Sequence, residues 1–411
     1  MRPTWRAGGL FSAGLALAVV AAGLGSLALA RFAALLLALP LVGLCWVVIT
    51  AVATRPVRLS RTVRPLRPEA GGQAQVHLAV GAGALAPWAQ LRERAPAAMN
   101  RSAPQPVIGE GRRWSYLIEP RLRGRYTLGP STIIYGDPLR LLRWSRRGDD
   151  AEQILVWPRT ADITHVLRPG ELHAARPGRS GTPQRSVEDL TLREYRSGDD
   201  VHRVHWRSSA RRGQLMVRAD EPVTPPAIDL ILDLGPAASQ RHTEWAVSAA
   251  ASAGRSLCQD QMPIRLHTAR LDTGPRADAT TTTPLHATHP AQILDALALA
   301  RPLPELTEAE RRALADAHRR EADRMGPTVL AILSTPSARA LADLAPLARS
   351  RRCYALIVAP HSEHHRPGQE LRDTGWIVHH LDPGPGEGTS EIPAAFLALF
   401  DQSRSGAEVG R

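Results

Sequence analysis

The sequence predicts a multidomain protein of mixed α/β and all-β class. An N-terminal transmembrane helical hairpin should precede a small β-sandwich-like domain and a C-terminal doubly wound α/β domain. Three observations predict this. Two long apolar runs at the start carry no charge, a middle stretch alternates at period two between Gly and Pro turns, and the last stretch alternates strand-like with helix-like segments.

The apolar runs are Ala7 to Ala30 and Phe32 to Thr54, separated by Arg31. Each exceeds the roughly 20 apolar residues that cross a bilayer core as a helix. A cleaved signal peptide is the alternative for the first run, but its apolar stretch is long for one and a second follows at once. The expectation is therefore a hairpin over residues 1–54, turning at Arg31, with spans of about 7–30 and 32–54. Pro40 falls inside the second span, where a kink is tolerable in lipid. Arg2 and Arg6 precede the first span, and Arg55, Arg58, Arg61, Arg64 and Arg67 follow the second. That asymmetry places both termini in the cytoplasm by the positive-inside rule, and the five arginines also suit anionic headgroups.

Residues 55–165 read as the β domain. "QAQVHLAV", "RRWSYLIEP", "GRYTLGPSTIIYGDP" and "QILVWPR" are short strand-like segments, with Gly124, Gly129, Gly136 and Pro138 supplying turns. Residues 166–226 form a connection, and the prolines of "EPVTPP" mark a boundary near residue 221. Charge changes at the same place. From 55 to 220 there are 29 arginines against 16 carboxylates, and from 221 to 411 there are 19 against 23.

Residues 227–405 read as the α/β domain, with a short tail at 406–411. "AIDLILDL" is a continuous apolar run suited to a buried parallel strand. A helix from Arg241 to Cys258 follows, with Trp245, Ala249, Ala253 and Leu257 on one face. "PIRLHTA", a helix near 290–300, a charged helix opening at Thr307 and "PTVLAILS" come next. Thr335 can cap the following helix, with Pro336 at its first position. "CYALIVAP", "GWIVHHLD" and "EIPAAFLALFDQ" complete the alternation.

Composition is a weak guide to partners. The net charge is +12, yet all 51 basic residues are arginine, and Asn100 is the sole asparagine. Such bias reflects base composition, so no specific nucleic-acid partner is expected. Cys45, Cys258 and Cys353 are far apart and form no disulfide framework.

The densest polar chemistry is "REYRSGDDVHRVHWRSSARRGQLMVRADEP", residues 193–222. Asp199 and Asp200 follow a strand-like "REY" and open what reads as a turn into a short helix, with His202 and Trp206 on one face. Three readings stand: a structural clamp or partner surface, an enzyme site using the paired carboxylates, and a grip for anionic ligands. The clamp reading places Trp206 in a core. In "HSEHH", His361, His364 and His365 could hold a metal, but Pro367 and Gly368 point to a polar loop.

This motif, together with "RGRYTLGPSTIIYGDPLRLLRW" at 123–144, resembles the bacterial domain of unknown function 58 family over nearly the whole chain. The resemblance implies a von Willebrand factor A-like C-terminal domain. It also implies partnership with a MoxR-type AAA+ ATPase, with a transglutaminase-like membrane protein as a further partner. Arg193, Tyr195, Gly198, Asp199, Asp200, His205, Trp206 and Arg218 are the family motif residues, of unassigned role. Where such domains carry Asp-x-Ser-x-Ser for Mg²⁺, this chain reads "DLGPA". Asp233 is kept, but Gly235 and Ala237 replace the serines, so the cation site is degenerate and no cofactor is expected. The expected function is a membrane-anchored, non-catalytic interaction or adaptor protein. A membrane-associated hydrolase using Asp199 and Asp200 is the alternative.

Overall fold

The computed structural model describes residues 2–53, 59–80, 90–94, 96, 99–101, 105–106, 113–148, 151–167, 192–195, 204–218, 227–236, 238–268, 284–302, 320–322, 324–360, 365–384 and 389–408. They divide into two compact units. Of the described residues, the first comprises those up to 160 and 294–300, and the second the remainder.

The first unit opens with strand β1 (Arg2–Pro3) and two apolar helices, α1 (Trp5–Leu24) and α2 (Leu27–Ala53). Both are long and apolar enough to cross a membrane. They pack closely because Gly14 leaves room for Leu37: a Cβ at Gly14 would lie 3.0 Å from its Cγ. The turn is not at Arg31. It comes at Gly25, in the left-handed region (φ 61°), whose N–H bonds to the Ala21 carbonyl and closes α1. Arg31 lies inside α2 as an exposed residue. A glycine cap ends a helix by backbone geometry, whereas one arginine near a helix end can extend its side chain to the interface without breaking the helix.

Among the described residues ten strands follow: β2 (Leu59–Arg64), β3 (Ala74–Val80), β4 (Gln90–Arg92), β5 (Met99–Arg101), β6 (Gln105–Pro106), β7 (Arg113–Pro120), β8 (Gly124–Leu128), β9 (Thr132–Gly136), β10 (Leu142–Arg147) and β11 (Glu152–Val156). They pair as one sheet of order β2-β3-β7-β5, with β6 also on β7, a second of order β1-β10-β9-β4, and a β8–β11 ribbon. The alternation of β3 and β7 buries Val76, Leu78, Tyr116 and Ile118, which pack with Leu128, Ile154 and Val156 of the ribbon. Inside this unit lies a buried ion pair. The Arg61 guanidinium donates to Glu93 Oε1 at 2.8 Å, to the Leu128 carbonyl at 2.9 Å and to Ser131 Oγ at 3.2 Å. Ser131 in turn donates to Glu93 Oε2 at 2.6 Å. Both charged side chains are almost wholly excluded from solvent.

The second unit contains a ribbon of β12 (Leu192–Glu194) and β13 (Met216–Arg218) flanking helix α3 (Trp206–Arg212). Beyond it are β14 (Ile228–Leu234), α4 (Gln240–Gln259), β15 (Ile264–Thr268), β16 (Leu285–Ala287), α5 (Pro290–Ala298, from residue 294 on part of the first unit) and β17 (Thr328–Ser334). Then come α6 (Ala338–Leu344), a 3-10 turn (Ala345–Arg349), β18 (Arg352–Val358), α7 (His365–Asp373), β19 (Ile377–Leu381) and α8 (Ile392–Glu408). The six strands form one sheet of order β16-β15-β14-β17-β18-β19, parallel throughout except at β16. This is the doubly wound arrangement that the alternating sequence predicts. One face of the sheet packs Val329, Ala331, Leu333, Ala355 and Ile357 against Leu341, Leu347 and Leu371. On the other face Tyr354 meets Phe400 of α8, ring centroids 5.0 Å apart. Trp245, Ala249, Ala253 and Leu257 of α4 are all buried, as their spacing predicts.

Two local expectations are overturned. Ser337 caps α6, its Oγ accepting from the Ala340 N–H at 3.2 Å, while Thr335 sits at φ 43°. An N-cap needs an extended backbone, which Ser337 has (φ −75°, ψ 153°) and Thr335 lacks. Pro367 and Gly368 belong to helix α7 and not to a loop, because proline is tolerated in a helix's first turn. His361 and His364 lie outside the described residues, as does the helix expected at Thr307.

Candidate interaction face

The family motif folds as a small scaffold with one exposed face. Strand β12 pairs antiparallel with β13, placing Arg193 opposite Val217 and Leu192 opposite Arg218. The Tyr195 N–H extends the ladder to the Leu215 carbonyl at 2.8 Å. Val204 bridges Val217, and the His205 N–H donates to the Met216 carbonyl at 2.8 Å.

His205 then caps α3, its Nδ1 accepting from the Ser208 N–H at 3.3 Å. Gly213 ends the helix in the left-handed region (φ 68°). Ser209 Oγ donates to the His205 carbonyl at 3.0 Å and accepts from the Met216 N–H at 2.9 Å, sewing helix to ribbon. Val204, Ser208, Ser209, Met216 and Val217 are buried. The backbone is thus held by caps and a buried inner face, while the outer side chains are free of that task.

The outer face is where the sequence reading is corrected. Trp206 is 68% exposed and Leu215 is 44% exposed, so neither is a core residue. Arg207, Arg211 and Arg212 are exposed beside them. The sequence shows apolar periodicity but not which side of a seven-residue helix is covered, and here the ribbon covers the Ser208–Ser209 side. An exposed Trp flanked by arginines is the composition of energetically dominant interface residues. Gly198, Asp199 and Asp200 lie outside the described residues.

A second cluster lies at the carboxyl edge of the large sheet, where strand order reverses between β14 and β17 and doubly wound folds place ligand crevices. Asp233 sits there, half-buried, and loss of solvent pushes its carboxyl up to about 6. The Gly235 N–H donates to the Ser334 carbonyl at 2.9 Å, and a Cβ at Gly235 would come within 2.8 Å of that oxygen and collide with the Thr335 carbonyl. Among the described residues the buried hydroxyls of Ser334 and Thr335 have no hydrogen-bond partner. Sequence reasoning looked for hydroxyls within the Asp233 loop and missed these two, which come from the neighbouring strand about a hundred residues on.

This donor set does not fit the Mg²⁺ site of the full Asp-x-Ser-x-Ser pattern. Gly235 has no side chain, so a hydroxyl ligand of that pattern is missing, and burial raises the proton affinity of the one carboxyl, so a cation must compete with a proton there. No group of three or more metal-ligating side chains occurs among the described residues.

Nearby in the same unit, Ser239 Oγ lies 2.7 Å from His242 Nδ1, and His242 Nε2 lies 3.2 Å from Asp382 Oδ1. The order hydroxyl, imidazole, carboxylate is that of a nucleophile, base and orienter. However, Ser239 Oγ also accepts the His242 N–H at 3.2 Å as the N-cap of α4, a structural duty that accounts for the Ser239–His242 contact. Its serine and histidine are visible in sequence as a cap three residues from its partner. Asp382 joins only through the sheet.

Residues 191–326 match the family model described as "Protein of unknown function DUF58", so this segment is similar to that family. No curated protein matches it. Among solved structures the chain is similar to a von Willebrand factor type A protein from Catenulispora acidiphila, at 12% identity over 45% of this chain and 44% of that one, with a TM-score of 0.26. It is also similar to the Escherichia coli adhesin FdeC, at 12% identity over 27% and 38% of the two chains, with a TM-score of 0.17. In both cases less than half of the other structure is spanned.

Proposed function

We propose that this protein is a membrane-anchored, non-catalytic adaptor that presents the α3 face to a protein partner from the cytoplasmic side. The single observation that carries the reading is Trp206, exposed on a helix whose backbone is capped at both ends and whose inner face is buried. An apolar ring held rigidly in water costs solvation and gives the fold nothing in return, which is the signature of a binding residue. Arg207, Arg211 and Arg212 beside it favour an acidic partner surface. By family resemblance the partner is a MoxR-type AAA+ ATPase, in cell-envelope or complex-assembly work.

The test uses full-length protein solubilised from its native membrane. Wild type should capture the ATPase, and Trp206→Ala should lose capture without a change in melting temperature. Equal capture by both proteins would sink the proposal. A measurable turnover abolished by Asp200→Asn in a folded protein would replace it with the hydrolase reading.

A further inference from the structure

The turn between β9 and β10 is fixed to the start of the transmembrane hairpin. The Thr4 N–H donates to the Leu141 carbonyl at 2.9 Å, and Thr4 Oγ1 donates to the carbonyls of Arg140 and Leu141 at 3.0 and 2.8 Å. Strand β1 extends the same sheet, Arg2 opposite Arg143 and Pro3 opposite Leu142. On the other side the turn meets α2. A Cβ at Gly43 would lie 3.5 Å from Asp137 Oδ2 and 3.7 Å from Leu142 Cδ1.

Depth follows from helix length. The 20 residues of α1 rise about 30 Å, the thickness of a bilayer hydrocarbon core, so Thr4 marks its boundary. The turn therefore lies at that boundary too. Helix α2 passes the turn at Gly43 and remains apolar beyond it, with Val48, Ile49 and Val52 exposed, so the turn does not stand clear of the acyl region.

The side chains at the turn suit that depth. Asp137, buried against Gly43, accepts the N–H groups of Leu139 and Leu142 at 3.1 and 2.6 Å and so closes the loop internally. Leu139, at the tip, is 49% exposed, and Trp5 is 83% exposed with Arg6 over its ring. Arg140 occupies the left-handed region (φ 56°), where glycine would sit without strain. An arginine held there against backbone preference points to a use for its side chain. Arg143 is exposed on β10.

We propose that residues 137–143 form a membrane seat for the β domain: Leu139 enters the headgroup–acyl boundary, and Arg140 and Arg143 engage the phosphates of anionic phospholipid. The two guanidiniums match phosphate in charge and geometry, and Trp5 is an interfacial anchor at the same level. The seat rests on the reading that α1 and α2 span the bilayer.

The test uses the full chain, with Cys45→Ala, in vesicles of phosphatidylcholine with or without phosphatidylglycerol. Leu139→Cys carries an environment-sensitive fluorophore; Cys258 and Cys353 are buried and should not label. Emission should be quenched by lipid bearing a nitroxide near the headgroup rather than by aqueous iodide. Phosphatidylglycerol should deepen that quenching, and Arg140→Gly with Arg143→Gln, which respects the turn's backbone, should abolish the increment. Iodide quenching without nitroxide quenching, in a chain that resists alkaline carbonate extraction, overturns the seat while leaving the spans intact. Release of the chain by carbonate overturns both.

Discussion

Asp233 shows how a single residue can hold a cost that the fold does not need. Its carboxyl is pushed up to about 6 by burial, against an ordinary value near 4 in the unfolded chain. Between those values the folded state binds the extra proton, so stability falls as pH rises through the window, and the full penalty of roughly 3 kcal/mol applies above it. Asp233→Asn should therefore raise the melting temperature at pH 7 to 8, with the gain vanishing below about pH 4. A gain that is independent of pH would show that desolvation of the carboxylate is not the cause. Trp206 is the opposite case, an exposed ring whose removal should change stability by no more than about 0.5 kcal/mol. The sequence reading put it in a core, because a tryptophan in a helix is usually covered. Exposure is set by what packs on the other side, and only the β12–β13 register decides that.

At the scale of elements, the Arg61–Glu93 pair ties β2 to the segment after β4 with both charges out of water. Removing one partner strands the other, so Arg61→Ala or Glu93→Ala should each cost about 3 to 5 kcal/mol. The paired apolar replacement, Arg61→Met with Glu93→Leu, should recover most of that loss in urea unfolding. If the double variant is as unstable as either single one, the pair's hydrogen bonds to Leu128 and Ser131 matter more than its charges. Arg61 was legible in the sequence only as one of five arginines following the second span. Its burial comes from the alternation of β2, which turns every second residue inward. By contrast the strands β14, β17 and β18 were legible almost to the residue, because a run buried on both faces must be apolar throughout. The helix boundaries set by Gly25 and Ser337 were less so. Both were read from charge or from the first available hydroxyl, while the backbone dihedrals made the choice.

For the molecule as a whole, the pairing of Arg2–Pro3 with Leu142–Arg143 requires both ends of the helical hairpin to lie on the β-domain side. With arginine dominating the segment after α2, that side should be cytoplasmic. A reporter fused after Arg411 should then be active only in its cytoplasm-dependent form, and alkaline phosphatase activity from the same fusion would mean that the orientation is inverted. Millimolar Mg²⁺ should leave the melting temperature of the full chain unchanged beyond an ionic-strength control. A saturable rise lost in Asp233→Ala would restore the cation site through mass action.

Strand β1 has a consequence for how the chain is made. Its two residues are synthesised about 140 residues before their hydrogen-bonding partners on β10. Until then the sheet has an open edge, and the apolar hairpin forms with that end unpaired. Closing a loop of that length is slow compared with helix formation, so the two helices form before the sheet is completed and not the reverse. Strand β1 therefore acts as a latch: it can be fastened only after the helical hairpin has formed and β10 has been synthesised.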